Sequence, residues 1–305
     1  MAETSNQWTN LCLTDVRKWF SDSLNDFESM IPQLYSTDTS DQQEEYDVTY
    51  SGLGNFQRFT GTAIKDTMAE EYKKTYDFPE WMNSIDIRRK LWDDRRDRSV
   101  MNMSKELALS ANRTKEAHAA EIFNYAFTAT GTYSGGGSTA GPDGLALCSA
   151  SHTSKADGAY LGDNLSTTAF SPTAVEQDRR DMMDITDGRG NRIQARLKLL
   201  LTPVELEEDA WELINSKGKV DTSDNNSNFH SGRYKLAVWE ELTDAQNFFS
   251  IDDKLMKRYL WWINRVAMEN YKKFDEETQT LTFGAYLRYG LGFSNWRFML
   301  GHNVA

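Results

Sequence analysis

Residues 93–128 contain neither Pro nor Gly. Within them Val100, Met103, Leu107, Ala111, Thr114, His118, Ile122 and Tyr125 recur at steps of three and four. That period is close to 3.6 and predicts one amphipathic helix over 93–128. At 1.5 Å per residue such a helix is about 50 Å long. A fold that holds it must be built along it. The segment Gly131–Gly144 (GTYSGGGSTAGPDG) follows and reads as a flexible loop.

The residues before the helix have a different character. Tyr46, Val48 and Tyr50, then Gly52 and Gly54, then Phe56 and Phe59, read as strand material bent by glycines. Tyr72, Tyr76, Phe78 and Trp81 follow, and Ile85-Asp86-Ile87-Arg88 alternates cleanly. Residues 46–90 therefore predict a long, aromatic, two-stranded segment. An isolated hairpin of that length is marginal in water, so it needs a partner surface such as another chain. Residues 1–45 are polar and acidic. Leu13, Val16, Trp19, Phe20 and Leu24 predict a short helix there, and Ser36–Glu45 reads as a polar breaker, so the region is expected to be an extended arm.

Residues 145–256 are mixed. Ser171-Pro172-Thr173 predicts a capped helix that runs to Asp184, followed by a turn at Asp187–Gly190. Ile193–Leu201 predicts a buried strand, Val204–Asn215 a helix after Thr202-Pro203, and Tyr234–Trp239 a strand beyond the polar loop Ser216–Ser231. For 257–271 the periodicity allows helix or strand. The reading adopted is a strand paired with Thr280–Tyr289 as a long hairpin. The order of elements gives an α+β fold class.

Composition narrows the function. A chain of 305 residues makes one large or two modest domains, and 9 Trp, 13 Tyr and 15 Phe exclude a disordered one. Two cysteines, Cys12 and Cys148, make no disulfide framework and are expected to be reduced thiols. A net charge of -12 argues against a protein whose main task is gripping phosphate. The first residues show no secretory signal, and stretches such as Leu197–Val204 are too short for a membrane span, so a soluble protein with no membrane partner is expected.

Catalytic patterns are scarce. There is no GxxxxGK[ST] loop, and Gly135–Gly137 reads as a linker. There is no HExxH, and His118, His152, His230 and His302 are scattered without metal-ligand spacing, so no metal or cofactor is expected. Cys148-Ser-Ala-Ser-His152 pairs a nucleophile with a base, but a cysteine hydrolase also needs an orienting third group. The simpler reading is a buried thiol and a hydrogen-bonded loop histidine. His118 reads as a packing histidine. Asp93, Asp94 and Asp97 beside Arg95, Arg96 and Arg98 are either a solvated helix end or a set of intersubunit ion pairs. Trp261-Trp262 reads as core or interface, and Glu205, Glu207, Glu208 and Asp209 as the first turn of a helix.

The layout, a polar arm, an uncovered aromatic hairpin, a spine helix and an α/β remainder, suggests a subunit completed by its neighbours. It resembles the tailed-phage major capsid (major head) proteins of the Hong Kong 97-type fold. Asp143-Gly-Leu-Ala-Leu-Cys-Ser-Ala-Ser-His152 with Asn164 and a helix from Thr173 resembles that family's entry to its axial domain. Asp187-Gly188-Arg-Gly190-Asn-Arg-Ile193 with Leu197–Pro203 and Ala210 resembles a second pattern of that family, and Asn228 with Tyr234–Val238 a third. Tyr289-Gly290 and Asn295-Trp296-Arg297 through Gly301 resemble its closing strand. Tyr50-Ser-Gly52, Phe59-Thr-Gly61, Tyr72 and Ile85–Arg88 through Asp93-Asp94 are similar to the Mu-like major head protein family.

The resemblance implies an N-terminal arm (1–45), an extended β-hairpin loop (46–90), a peripheral domain with the spine helix and a sheet (91–130 and 257–305), and an axial domain (131–256). It implies homo-hexamers and homo-pentamers that close an icosahedral phage head around double-stranded DNA, in the virion and assembled in the host cytoplasm. It also implies scaffolding, portal and decoration partners, non-specific contact with DNA, and no enzyme activity. No scaffolding segment precedes the arm, so scaffolding would be cleaved off or encoded separately. Lys65, Lys73 and Lys74 stand where some members crosslink, without a basis for assigning that chemistry. The candidate intersubunit contacts are Phe56, Phe59, Tyr72, Tyr76, Phe78, Trp81, Arg88, Asp93, Asp94, Arg95 and Arg96. Deletion of 50–80 is expected to leave a folded subunit that cannot assemble. The alternatives are an encapsulin-like nanocompartment shell and a cysteine hydrolase using Cys148 and His152.

Overall fold

A computed structural model describes residues 5–61, 64–94, 96–155, 160–218 and 227–304. In chain order the helices are α1 (Ser5–Asn25), α2 (Ile31–Leu34), α3 (Arg89–Asp93), α4 (Asp97–Asn124), α5 (Pro172–Asp184), α6 (Glu207–Asn215) and α7 (Asp253–Tyr259). The strands are β1 (Ser36–Thr39), β2 (Glu44–Tyr50), β3 (Glu70–Asp77), β4 (Glu80–Arg88), β5 (His152–Thr153), β6 (Tyr160–Gly162), β7 (Leu165–Ser166), β8 (Leu199–Thr202), β9 (Lys235–Val238), β10 (Phe248–Ile251), β11 (Leu260–Asp275), β12 (Thr280–Phe293) and β13 (Met299–His302).

The spine is α4, 28 residues long. It starts later than the apolar period suggests, because Arg89–Asp93 closes a turn of its own, capped where the Asp94 N–H reaches the Lys90 carbonyl. Asp97 then sits in the first turn of α4, where an acid is favoured by the helix dipole. One side of α4 lies on a four-stranded sheet of order β1-β11-β12-β4. The long pair β11–β12 runs antiparallel from Leu260↔Phe293 to Asp275↔Thr280, as the hairpin reading expects.

Three expectations need correction here. The N-terminal region is not an extended arm. Its apolar stripe begins at Trp8, earlier than expected, and α1 buries Trp8, Cys12, Leu13, Val16 and Phe20 against Val100, Leu107 and Ala108 of α4 and Leu281 and Phe283 of β12. Ser36–Thr39 is not a breaker. It adds as β1 in parallel to the edge of β11, where three of its four side chains stay exposed and can be polar. Residues 46–90 are not one hairpin. Pro79 divides the second limb, so that β3 pairs back on β2 while β4 leaves to pair with β12 from Arg88↔Thr280 to Glu80↔Arg288. Among the described residues of 51–69 there is no strand. Gly290 permits the crossing, since a Cβ there would lie 2.4 Å from the Asp77 carbonyl oxygen.

A second sheet of order β7-β13-β10-β8-β9 forms the rest of the body. Phe123 of α4 packs edge-on against Phe249 of β10 and Trp239, which ties the spine to this sheet. The C-terminal strand β13, grouped above with the peripheral sheet, crosses to pair with β10 and β7. Helix α5 is capped as expected, the Ser171 Oγ accepting the Ala174 N–H at 3.1 Å. The expected strand Ile193–Leu201 is ladder-paired only from Leu199, because Gln194 takes a positive φ of 59° and breaks the extension. The expected helix from Val204 opens with a 3-10 turn over Val204–Leu206. The Gly131–Gly144 loop is folded on itself, Tyr133 N–H bonding the Gly137 carbonyl at 2.9 Å. Part of the polar loop Ser216–Ser231 lies outside the described residues.

Candidate assembly surface

Between β2 and β3 the chain makes a projecting loop, residues 51–69. Phe56 at its outer part is 109% exposed and Phe59 is 71% exposed. Leu53, Ile64, Met68, Tyr46 and Tyr50 are exposed beside them. Single exposed apolar residues are ordinary, and several on one loop make it the candidate for an assembly surface.

The neck of this loop is tightly built. Arg189, in the turn after α5, places Nη1 2.8 Å from both oxygens of Asp66 and donates from Nη2 to the Thr67 carbonyl at 2.5 Å. Asn191 donates to the Leu53 carbonyl at 3.1 Å. The Gly54 N–H donates to Asp66 at 2.7 Å. That bond first, and the Arg189 guanidinium second, hold the Asp66 carboxyl below the usual range. Just below, Glu71 accepts from Ser154 Oγ at 3.0 Å and the Lys155 N–H at 2.8 Å. Gly52, at φ +88°, lies so close to Asp187 that a Cβ would meet its carboxylate at 2.6 Å.

The other aromatic candidates divide. Tyr72 is half-buried. Tyr76 and Phe78 are buried with Ile263 and Trp261 of β11, so they serve the chain's own packing and offer no free anchor. Trp81 is half-buried, its ring 4.6 Å from that of His118 and stacked at 6.1 Å on Tyr289. A cavity of about 140 Å³ lies beside it, with Met82, Leu107, Ser110, Thr114 and Leu287 among its lining residues. Deletion of 50–80 would therefore strip out part of the core. The deletion that isolates the projecting loop is 53–67.

The lysines divide likewise. Lys74 is buried and its ammonium donates to the Ser138 and Ala140 carbonyls at 3.1 and 2.7 Å, which fastens β3 to the glycine-rich loop. Burial pushes its pKa down to about 8. Lys73 lies over the Tyr46 ring at 4.1 Å, and Lys65 is exposed on the loop.

The charged elbow between β4 and α4 is mostly solvated. Arg88, Asp94 and Arg96 are exposed, and Asp93 pairs with Arg89 of its own helix at 3.3 Å. Arg95 lies outside the described residues.

The geometry gives the hydrolase alternative no support at Cys148 or His152. Cys148 is buried, and desolvation first, with Asp163 second, pushes its thiol far above the ordinary range, so the thiolate is suppressed. Both ring nitrogens of His152 are engaged, Nδ1 with Asp143 at 2.6 Å and Nε2 with Asn164 at 3.1 Å, and the ring stacks on Trp296 at 4.3 Å. Asn164 itself donates to the Leu147 and Met299 carbonyls and so joins the loop to β13. His302 bonds Asp178 at 2.8 Å, and Ser250 donates to the same carboxylate at 2.5 Å. His118 meets the Tyr289 hydroxyl at 2.6 Å and His230 that of Tyr234 at 3.2 Å. All four histidines hold the fold. Among the described residues no group of three or more His, Cys, Asp or Glu is arranged to hold a metal, and no helix is long and apolar enough to cross a membrane.

A spine helix on one sheet, a second sheet in the body and an exposed aromatic loop make up the Hong Kong 97-type fold. The fold recurs at low identity in solved shells. The capsid of a native GTA particle shares 13% identity at a TM-score of 0.56, over 92% of this chain and 91% of that one. The virus-like particle from Pyrococcus furiosus shares 8% at 0.55, over 95% and 98%. The procapsid of bacteriophage JBD30 shares 11% at 0.51, over 97% and 75%. The chain belongs to the phage capsid protein family, whose family model matches residues 73–300. A sequence search of curated proteins gives no match.

Sequence reasoning missed the neck. Arg189 falls inside the Asp187–Gly190 turn that carries the family resemblance, but nothing nearby in sequence points to Asp66, 123 positions away. The signal available was the pair of glycines, Gly52 and Gly188, each of which marks a close backbone approach.

Proposed function

We propose that this capsid protein is the major head subunit of a tailed phage. Many copies form hexamers and pentamers, and these close into an icosahedral shell around double-stranded DNA, assembled in the host cytoplasm. The observation that carries this reading is the loop 51–69, whose Phe56 and Phe59 are exposed on the single chain. Laid on a neighbour, they add apolar burial to each contact, and aromatics dominate interface energetics. The half-buried Tyr72 and Trp81 extend the contact. At the elbow, Arg88, Asp93, Asp94 and Arg96 supply ion pairs between copies. Many modest contacts then sum by multivalency.

The net charge of -12 fits a wall that encloses DNA without gripping it, since a phosphate-binding wall would hinder packaging and ejection. Partners in this reading are scaffolding and portal proteins, DNA by non-specific contact, and a decoration protein. The JBD30 capsid, 12% identical at a TM-score of 0.50 over 71% of this chain and 92% of that one, is decorated with minor capsid protein trimers. The role is mechanical, with no catalytic residue and no cofactor. The test is negative-stain microscopy of particles recovered from phage-producing cells, followed by nuclease treatment. Closed shells that protect DNA support the reading. Shells filled with a protein cargo would instead make it a nanocompartment.

A further inference from the structure

The loop 51–69 poses a physical difficulty for assembly. A loop of no regular structure must be ordered each time a contact forms, and that ordering subtracts from the contact's free energy. Four features of the neck reduce the cost. Both limbs are held by one turn, the outgoing limb at the Leu53 carbonyl by Asn191 and the returning limb at Asp66 and Thr67 by Arg189. The two limbs are also held to each other, because the Gly54 N–H donates to Asp66. The turn is rigid, since Asp187 accepts the N–H groups of Arg189 and Asn191 at 2.9 Å each. It is moored to the body as well, for Arg297 donates to the Thr186 carbonyl at 2.7 Å. The limbs and turn also approach closely, for a Cβ at Gly52 would lie 2.6 Å from the Asp187 carboxylate and one at Gly188 3.0 Å from the Ser51 Cα.

We infer that Arg189 is a positioning residue for assembly: with Asn191 it clasps the neck of the loop and presents Phe56 and Phe59 in a fixed direction to a neighbouring copy. This rests on the reading of the loop as an intersubunit contact. The guanidinium fork suits the task. Two of its nitrogens, fixed in one plane, meet a carboxylate and a carbonyl together. Arg189 and Asp66 keep about a third of their side-chain surface exposed, so removing the clasp opens no cavity in the core. Exposure also leaves the ion pair open to screening, so raised salt loosens the loop without unfolding the body.

The experiment compares wild type, Arg189→Gln and Arg189→Lys as full-length protein, by light scattering for the onset of assembly and by hydrogen exchange on subunits held below that onset. The expected result for Arg189→Gln is an unchanged melting temperature, faster exchange at Gly54 and Thr67, and an assembly onset moved to roughly tenfold higher concentration. Arg189→Lys is expected to fall between. Wild-type particles together with an unmoved onset and unchanged exchange in Arg189→Gln would overturn the clasp alone. A wild-type protein that never forms particles would overturn the shell reading and the clasp with it.

Discussion

Replacing Phe56 and Phe59 together by Ser separates assembly from folding. On the single chain Phe56 is 109% exposed and Phe59 71% exposed, so neither contributes much to the folded subunit. The double variant should melt within a degree or two of wild type, as surface substitutions away from caps and networks usually do. Between copies the sum is different. Fully burying a Phe side chain contributes about 1.5–3 kcal/mol. Phe59 is already partly covered, so the pair contributes about 2–5 kcal/mol to each contact. With a tenfold change for every 1.4 kcal/mol, the pairwise affinity should fall by roughly 30- to 3,000-fold. Each subunit repeats the contact around its capsomer, so assembly should be lost at concentrations where wild type assembles fully. Sedimentation velocity reads the assembled fraction and a thermal melt reads the fold. A double variant that assembles at the wild-type concentration would refute the assignment of these side chains to the interface. A double variant that melts many degrees lower would refute their exposure.

Other outcomes follow from the packing and the charges. Phe20→Ala removes a buried ring that meets Phe283 edge-on at 5.8 Å, and should cost about 3–5 kcal/mol in chemical denaturation; a free N-terminal arm would show almost no loss. Asp178→Asn weakens the bonds from His302 of β13 and Ser250 of β10 that tie α5 to the second sheet, and should cost about 2–3 kcal/mol in chemical denaturation. Lys74 gives a pH dependence with a definite sign. Its folded pKa is lowered to about 8 from 10.5, so below 8 both states carry the proton and the full penalty of burying the charge is present. Between 8 and 10.5 the unfolded chain binds more protons than the folded one, so this residue's contribution to stability rises with pH, by on the order of 3 kcal/mol across that window. The stability difference between wild type and Lys74→Met, followed from pH 7 to 10.5, should therefore shift in favour of wild type. A flat difference contradicts the buried ammonium.

Periodic apolar residues made much of the fold legible. The stripe through Leu107, His118 and Ile122 gave the spine, and the alternation of Leu281, Phe283, Ala285 and Leu287 gave β12, because both patterns are imposed by one buried face. The cap at Ser171 was legible because its chemistry is local. What escaped was pairing at a distance. Ser36–Thr39 has no strand pattern, and it becomes β1 only because β11 leaves an edge beside it. Tyr76 and Phe78 look like Phe56 and Phe59 in sequence, but β11 covers the first two while the second two lie beyond its reach. Of the candidate contacts, the sequence could name aromatic and charged residues. It could not sort those spent inside the chain from those left outside, because that depends on where the chain divides at Pro79. The clasp at Arg189 was invisible for the same reason.

The most direct test of a shell-building role is the mass of the purified wild-type protein by sedimentation velocity across a range of concentrations. A capsid subunit will pass, above a sharp onset, from the 34.9 kDa chain or its capsomers to closed particles many times that mass. A single 34.9 kDa species at every concentration and salt would contradict it.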